Sequence, residues 1–155
     1  MNILLIEPYW TGSHAQWAEG FAKHSRHDVR FLNLKGQFWK WRMHGGAVTL
    51  AREFNNMNWR PDIILATDML DLTTFLSLTK NNSHGIRTAM YFHENQISYP
   101  WSSTDRDILN KRDTHYGFIN YTSALAADTV FFNSEFHMDS FLKALPPFLR
   151  QFPDH

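Results

Sequence analysis

A block of four polar side chains follows an apolar run in the middle of the chain. The run ends at Phe92, and an imidazole, a carboxylate and two amides follow at once as His93, Glu94, Asn95 and Gln96. An imidazole in such a position donates to a developing charge or holds a sugar hydroxyl, and a neighbouring carboxylate acts as a base or orients the imidazole. We therefore predict that His93 and Glu94 are catalytic residues.

The same block does not have the spacing of a zinc helix. An H-E-x-x-H motif needs a second histidine one turn after the first, and the position after Gln96 is Ile97. The chain also has no cysteine, which excludes disulfides, thiolate metal sites and cysteine nucleophiles. No metal site is predicted from these patterns.

A glycine stands near the amino terminus, between a short apolar run and a predicted helix. Gly12 allows the backbone to approach a ligand, and the free amides at a helix start favour an anion such as phosphate. This segment, which continues with Ser13 and His14, has neither a G-x-G-x-x-G nor a P-loop pattern, and an ordinary turn capped by Ser13 is an equal alternative.

Cations alternate with aromatic residues from Trp39 to Arg42, as Trp39, Lys40, Trp41 and Arg42. Cations that bind phosphates and indoles that stack on bases suit a nucleic acid. The same residues also suit a sugar, or a helix that packs its tryptophans inward. We predict a basic aromatic loop that contacts nucleic acid.

Several other charged residues have two interpretations. Arg112 either clamps a phosphate or carboxylate, or forms an ion pair with Asp113 or Glu94. Asp68 and Asp71 follow an apolar run, and we interpret one or the other as the cap of the next helix.

Strand and helix patterns alternate along the chain. The predicted strands are Asn2 to Ile6, Asp28 to Leu34, Pro61 to Thr67, Arg87 to Phe92 and Thr129 to Phe132. The predicted helices are His14 to Lys23, Gly45 to Asn55, Leu70 to Thr79, Tyr116 to Ala127 and Ser134 to Ala144. This alternation predicts a Rossmann-like parallel sheet with helices on both faces, in which ligands bind beyond the carboxyl ends of the strands.

Length and composition fit one domain. The chain has 155 residues, 43% of them hydrophobic, which is enough for one sizeable core. It has 15 basic and 15 acidic residues, so a nucleic-acid partner would need a local patch. Neither a signal peptide nor a membrane span is visible, and a cytoplasmic location is expected. We predict a domain over residues 1–145, followed by a proline-rich linker over 146–155.

The motifs EPYWTGSH, KWRMHGGA, YFHENQISYP and RDTHYGFINYTSALAADTVFFNS resemble, in order, the amino-terminal domain of the tRNA-queuosine mannosyltransferases. The resemblance spans almost the whole chain. It implies one half of a retaining GT-B glycosyltransferase, in which two Rossmann-like domains face each other across a cleft. These enzymes are similar in attaching mannose from GDP-mannose to queuosine in the anticodon loop of tRNA-Asp, usually without a metal.

The resemblance also implies roles for particular residues. Gly12, Ser13 and His14 would approach the donor phosphates, and His93 and Glu94 would face the transferred sugar. The acceptor side would comprise Trp39, Lys40, Trp41, Arg42, Asn95 and Arg112. The carboxyl-terminal donor domain is missing, so we expect the chain to be inactive alone and to self-associate through residues 132–136 and the 146–153 tail. The alternatives are a glycan or lipid-linked acceptor, and a module that binds RNA or a nucleotide without chemistry.

Overall fold

The computed structural model describes residues 1–100, 102, 103, 105 and 115–153. These residues form one parallel sheet with the strand order β2-β1-β3-β4-β5. The strands are β1 (Asn2–Trp10), β2 (Asp28–Lys35), β3 (Ile63–Thr67), β4 (Arg87–Phe92) and β5 (Thr129–Phe132). The helices within the described residues are α1 (Gly12–His24), α2 (Trp39–Asn55), α3 (Leu72–Ser83), α4 (His115–Ala126) and α5 (Glu135–Leu149). The predicted α/β, Rossmann-like class is confirmed.

β1 lies between β2 and β3, and its side chains alternate between the two helical layers. Leu4 and Ile6 pack in the cluster that contains α2 and α3, whereas Ile3 and Leu5 pack with Ala18 of α1. All four strand residues are at most 5% exposed. Each such side chain contributes roughly 1.5–3 kcal/mol when it leaves water. The sheet is therefore covered on both faces, as the near-continuous apolar run predicts.

The end of β1 and the starts of α1 and α2 differ from the sequence prediction. β1 continues past Ile6 to Trp10, which pairs with Lys35 after an irregularity in the ladder. The cap of α1 is Thr11 rather than Ser13, and its side chain makes no capping hydrogen bond. α2 begins at Trp39, so the predicted basic aromatic loop is wrong and its residues form the first turn of a helix.

Two other features bear on the predicted linker. α5 runs through Pro146 and Pro147 to Leu149, five residues beyond the predicted end at Ala144. Phe148 is buried and packs on α4 at Gly117, where an added Cβ would lie 3.1 Å from the Phe148 ring. The start of the 146–155 segment thus belongs to the folded body. The domain boundary itself stays a prediction.

Side chains cap two of the helices. Asp71, a predicted cap, accepts the N–H of Thr74 at 2.9 Å, and Ser134 accepts that of His137 at 3.2 Å. None of the helices in the described residues has the length and apolar character needed to cross a bilayer.

Candidate functional site

The carboxyl ends of three neighbouring strands bring ionisable side chains together. Glu7 lies on β1, Asp68 directly follows β3, and His93 directly follows β4. Because these strands are adjacent in the sheet order, their ends meet although they are far apart in the chain. This arrangement is where an open parallel sheet places its ligand site.

Glu7 is the most deeply buried member, with no exposed surface. Its Oε1 accepts the Tyr9 N–H at 2.8 Å, and its Oε2 lies 3.0 Å from Nδ1 of His14. Burial alone lowers the pKa of His14. The hydrogen bond from Glu7 and the charges of Glu7, Asp68 and Glu94 outweigh that effect, so the pKa of His14 is raised above its ordinary value. The contact with Glu7 therefore favours the protonated form of His14 more than solvent does.

His93 has a different environment. Burial, together with the charges of His14 and His137, lowers its pKa to about 3, so the ring is neutral at physiological pH. Its Nε2 is buried, has no hydrogen-bond partner among the described residues and lies 3.8 Å from Oε2 of Glu7. The ring also packs at 4.2 Å from that of His14 and edge-on at 4.8 Å to that of Trp17. A buried imidazole nitrogen without a partner is unusual and needs a physical reason.

Asp68 supports the loop that carries His93. Its Oδ1 accepts the His93 N–H at 2.8 Å, and its carbonyl accepts a hydrogen bond from Asn120 at 2.8 Å. Burial raises the pKa of Asp68 to about 8, further than the nearby His14 charge lowers it. Of the two candidates for the cap of α3, the structure selects Asp71, and Asp68 supports the β4 loop instead.

Glu94 borders open space, whereas Asp68 is buried. It lines a cavity of about 410 Å³ and a second cavity of about 380 Å³ on the other side of its loop. Burial raises its pKa more than the His14 charge lowers it. Glu94 is thus a carboxylate with access to both cavities and an increased tendency to hold a proton.

The larger cavity gathers residues that the sequence suggested separately. It is lined by Gly12, Ser13 and His14 at the start of α1, by Trp39 at the start of α2, and by Glu94 and Gln96 of the β4 loop. Tyr9 and Tyr99 add aromatic walls. Such a mixture of aromatic surface and convergent polar groups is typical of a small-molecule site.

Gly12 shapes the mouth of this cavity. Its φ is +51°, a left-handed conformation that side chains other than glycine seldom adopt, and an added Cβ would meet nothing within 4 Å. The constraint at Gly12 therefore comes from the backbone and not from crowding. The conformation leaves Gly12 and Ser13 exposed at the amino end of α1.

Asn95 holds the loop after β4 in its conformation through hydrogen bonds. It is 1% exposed, and its Oδ1 accepts the N–H groups of Ile97 and Ser98 at 3.0 and 2.8 Å. Its Nδ2 lies 2.9 Å from the hydroxyl of Ser98 and 2.7 Å from Nε2 of His137. With its amide used on both sides, this residue shapes the loop, and its predicted contact with an acceptor stays a prediction.

The first turn of α2 divides between the cavity and the surface. Trp39 lines the cavity and packs 5.2 Å from the Tyr116 ring, and Lys40 pairs with Asp105 at 2.6 Å. Trp41 is 70% exposed, and Arg42 Nε donates to the Lys35 carbonyl at 3.2 Å. Arg112 and its predicted partner Asp113 lie outside the described residues.

Two residues of the site escaped sequence analysis. No sequence pattern singles out Glu7, and Asp68 is predicted only as one of two candidate caps. The available signal was the same for both, a single carboxylate placed at the carboxyl end of an apolar strand. A carboxylate in that position is either exposed in a loop or buried with partners, and sequence does not distinguish the two.

One group within the described residues has the donor types and spacing of a metal site. Glu7, His14 and His93 each offer a ligand atom, and these atoms lie within 4.8 Å of one another. The group lies beside the cavity, because His14 belongs to both.

The fold and site define the chain as an α/β domain with a ligand cavity at the carboxyl ends of a parallel sheet. Residues 2–155 match the family described as tRNA-queuosine alpha-mannosyltransferase N-terminal, and the chain belongs to that family. The resemblance inferred from the motifs is thereby confirmed.

A full-length relative has the corresponding name. The tRNA-queuosine alpha-mannosyltransferase of Drosophila melanogaster is 35% identical over 155 residues, which cover 99% of this chain and 39% of that protein. The chain thus spans well under half the length of this relative. No solved structure matches it significantly.

Proposed function

We propose that this chain is the acceptor-side domain of a retaining GT-B glycosyltransferase that transfers mannose from GDP-mannose to queuosine in the anticodon loop of tRNA-Asp. The proposal places this activity in the cytoplasm, and it requires a donor-binding domain in addition to the residues present here. Family membership and the name of the Drosophila relative support the choice of acceptor and sugar.

The observation that carries the proposal is the shared cavity of about 410 Å³. The residues predicted for donor phosphates, Gly12 to His14, lie on one wall. Glu94, predicted to face the sugar, and Trp39, predicted for the acceptor, lie on others. A transfer reaction needs donor and acceptor groups in contact, so a single cavity with both sets is what such an enzyme requires.

The charges in the cavity suggest a division of labour. The amides at the start of α1 would stabilise the negative charge of a departing diphosphate, and His14 lies beside them on the cavity wall. Glu94, with its raised pKa, would bind sugar or acceptor hydroxyls as a donor or an acceptor. His93 would act as a neutral imidazole, because its low pKa removes it as a cationic acid at physiological pH.

The acceptor RNA would lie along the exposed part of the first α2 turn. Trp41 is 70% exposed and lies two residues after Trp39, which lines the cavity, so a base stacked on Trp41 would lie at the same helix turn as the cavity wall. This geometry is compatible with an anticodon loop, whose bases are accessible for stacking and edge recognition.

The test is a titration of the chain with three separate ligands: queuosine-containing tRNA-Asp, the same tRNA without queuosine, and GDP-mannose. We expect binding that is stronger for the modified tRNA, and no turnover of GDP-mannose by the chain alone. Equal affinity for both tRNAs would reject queuosine recognition by this domain. Transfer of mannose by the chain alone would reject the need for a donor domain.

The proposal also includes self-association of the isolated chain. Phe136 is 81% exposed on α5, and Phe131 is 50% exposed on the edge strand β5. Apolar surface of this kind favours association between copies. Sedimentation velocity over a concentration series should show association that decreases in Phe136→Ser, and a monomer at every concentration would contradict it.

A further inference from the structure

We propose that Glu7, His14 and His93 form a binding site for one divalent transition-metal ion of the zinc type, which joins β1, α1 and the β4 loop beside the cavity. The ligand set is one carboxylate and two imidazoles, all of which bind Zn²⁺ and its neighbours in the first transition row. The resemblance implies transfer chemistry that needs no metal, so the role assigned to this ion is structural.

The distances between the ligand atoms support the site. His14 Nδ1 and His93 Nε2 lie 3.0 and 3.8 Å from the same oxygen, Oε2 of Glu7. All three atoms lie within 4.8 Å of one another. Two metal–ligand bonds of about 2.0–2.2 Å span no more than roughly 4.4 Å, so ion binding would draw the most widely separated pair together by side-chain rotation.

The second, independent observation is the unpartnered nitrogen of His93. Its Nε2 is buried within the protein and has no hydrogen-bond partner in the part of the chain that the structure describes, although it faces Glu7. At 3.8 Å the two atoms are too far apart for a hydrogen bond. An ion between them would provide the missing partner for this nitrogen.

The backbone already holds the ligands in place. The Tyr9 N–H fixes the other oxygen of Glu7, and Asp68 binds the His93 N–H. Supporting contacts of this kind orient metal ligands in known sites. His14 lines the cavity of about 410 Å³, which provides a path for the ion.

The charge balance also favours a cation. The groups acting on His14 include three carboxylates, Glu7, Asp68 and Glu94. Within the described residues, no lysine or arginine is among the charged groups that act on His14, Asp68 or His93. A divalent ion beside these carboxyl groups would meet no opposing lysine or arginine among the described residues, and a proton on His14 would leave as the ion binds.

The experiment measures Zn²⁺ and Co²⁺ binding to the chain after treatment with a chelator. Calorimetry and elemental analysis should give one Zn²⁺ per chain, and Co²⁺ should give the visible absorption of a nitrogen- and oxygen-bound ion. In Glu7→Gln and in His93→Asn the affinity should fall by at least about 100-fold, because losing a ligand costs more than the ~10–100-fold typical of outer partners.

The matched control is a second pair of neighbouring histidines among the described residues. His44 and His115 lie on the surface with their Nε2 atoms 2.6 Å apart, so they are the competing site for added metal. The variant with His44→Gln and His115→Gln should retain full affinity. Loss of binding in this variant, with binding intact in Glu7→Gln, would overturn the proposal.

Two further results keep the test decisive. If the variants do not fold, nitrogen-detected NMR of the unmodified chain should show Zn²⁺ shifting the ring resonances of His14 and His93 before those of His44. Failure of the chelator-treated chain to bind Zn²⁺ at tens of micromolar would overturn the site. Because neither readout involves tRNA or a sugar donor, its failure would leave the proposed transfer function standing.

Discussion

Carboxylates accept hydrogen bonds from backbone N–H groups at both ends of the sheet, but their surroundings differ. At the amino end, Asp62 accepts the Asn2 N–H and Asp128 accepts the Thr88 N–H, each at 2.7 Å, and both side chains are exposed. At the carboxyl end, Asp68 accepts the His93 N–H at 2.8 Å while 1% exposed. The same bond thus occurs in water at one end and in the interior at the other.

The pKa values record this difference. Hydrogen bonds from the backbone and side chain of Thr88 hold the pKa of Asp128 below its ordinary value, because water removes most of the cost of the charge. Burial raises the pKa of Asp68 to about 8 in spite of its own backbone bond. At the amino end, carboxylates therefore connect neighbouring strands through hydrogen bonds. At the carboxyl end, burial shifts the pKa values of the polar groups, as often happens at functional sites.

The largest expected effect is on the buried end. Asp68→Ala leaves the His93 N–H without its acceptor, and a buried unsatisfied donor costs about 1–3 kcal/mol of unfolding free energy. Urea denaturation should show this loss, with Asp62→Ala as the matched control, since it removes a similar bond in water and should cost under about 1 kcal/mol. Equal losses in the two variants would remove the distinction between the ends.

The next effect concerns the exposed surface at the carboxyl end. Trp41→Ala combined with Arg42→Ala should weaken tRNA binding by about 1–3 kcal/mol through loss of stacking, and should flatten the salt dependence of binding. The unfolding free energy should change little, because Trp41 is 70% exposed.

Val48→Ala is the matched control for this double variant, since Val48 is 54% exposed on the same helix. Its affinity for tRNA, measured at several salt concentrations, should be unchanged. If tRNA binding persists unaltered in the double variant, the assignment of this surface to RNA fails.

A third effect tests backbone strain at the cavity mouth. Gly12→Ala meets no steric obstacle but must adopt a φ of +51°, so we expect a loss of about 1–2 kcal/mol. Gly12→Asn should lose less, because asparagine tolerates this conformation better. Thermal denaturation compares the two variants, and equal stability of Gly12→Ala and the unmodified chain would show that α1 starts differently.

The smallest effect is the pH dependence at the amino end. Because the pKa of Asp128 is lowered in the folded state, its contribution to stability is present above its unfolded value of 3.8. That contribution is lost as the pH falls through the lower, folded value. Asp128→Asn should therefore be slightly less stable than the unmodified chain at pH 7, and the difference should shrink as the pH falls below 3.8. A difference that grows on acidification would contradict the direction of the shift.

Sequence patterns located the secondary structure well and the chemistry in part. β4 and β5 have their predicted bounds, since short apolar runs with clear flanking residues define them. α2 begins at Trp39, six residues before the predicted start at Gly45. Gly46 lets this helix approach Pro8, where an added Cβ would lie 3.2 Å from Pro8 Cβ. Close approach of this kind depends on a distant segment and leaves no local pattern.

The sequence by itself determined the alternation of strands and helices, the family, and the polar block from His93 to Gln96, because these depend on residues close together in the chain. Only the tertiary structure decided that Glu7, Asp68 and His93 meet, and that His14 rather than His93 favours the charged form. The physical reason is that burial and charge at each group depend on which strand ends are neighbours. The sheet order β2-β1-β3-β4-β5 sets those neighbours once the whole chain has packed.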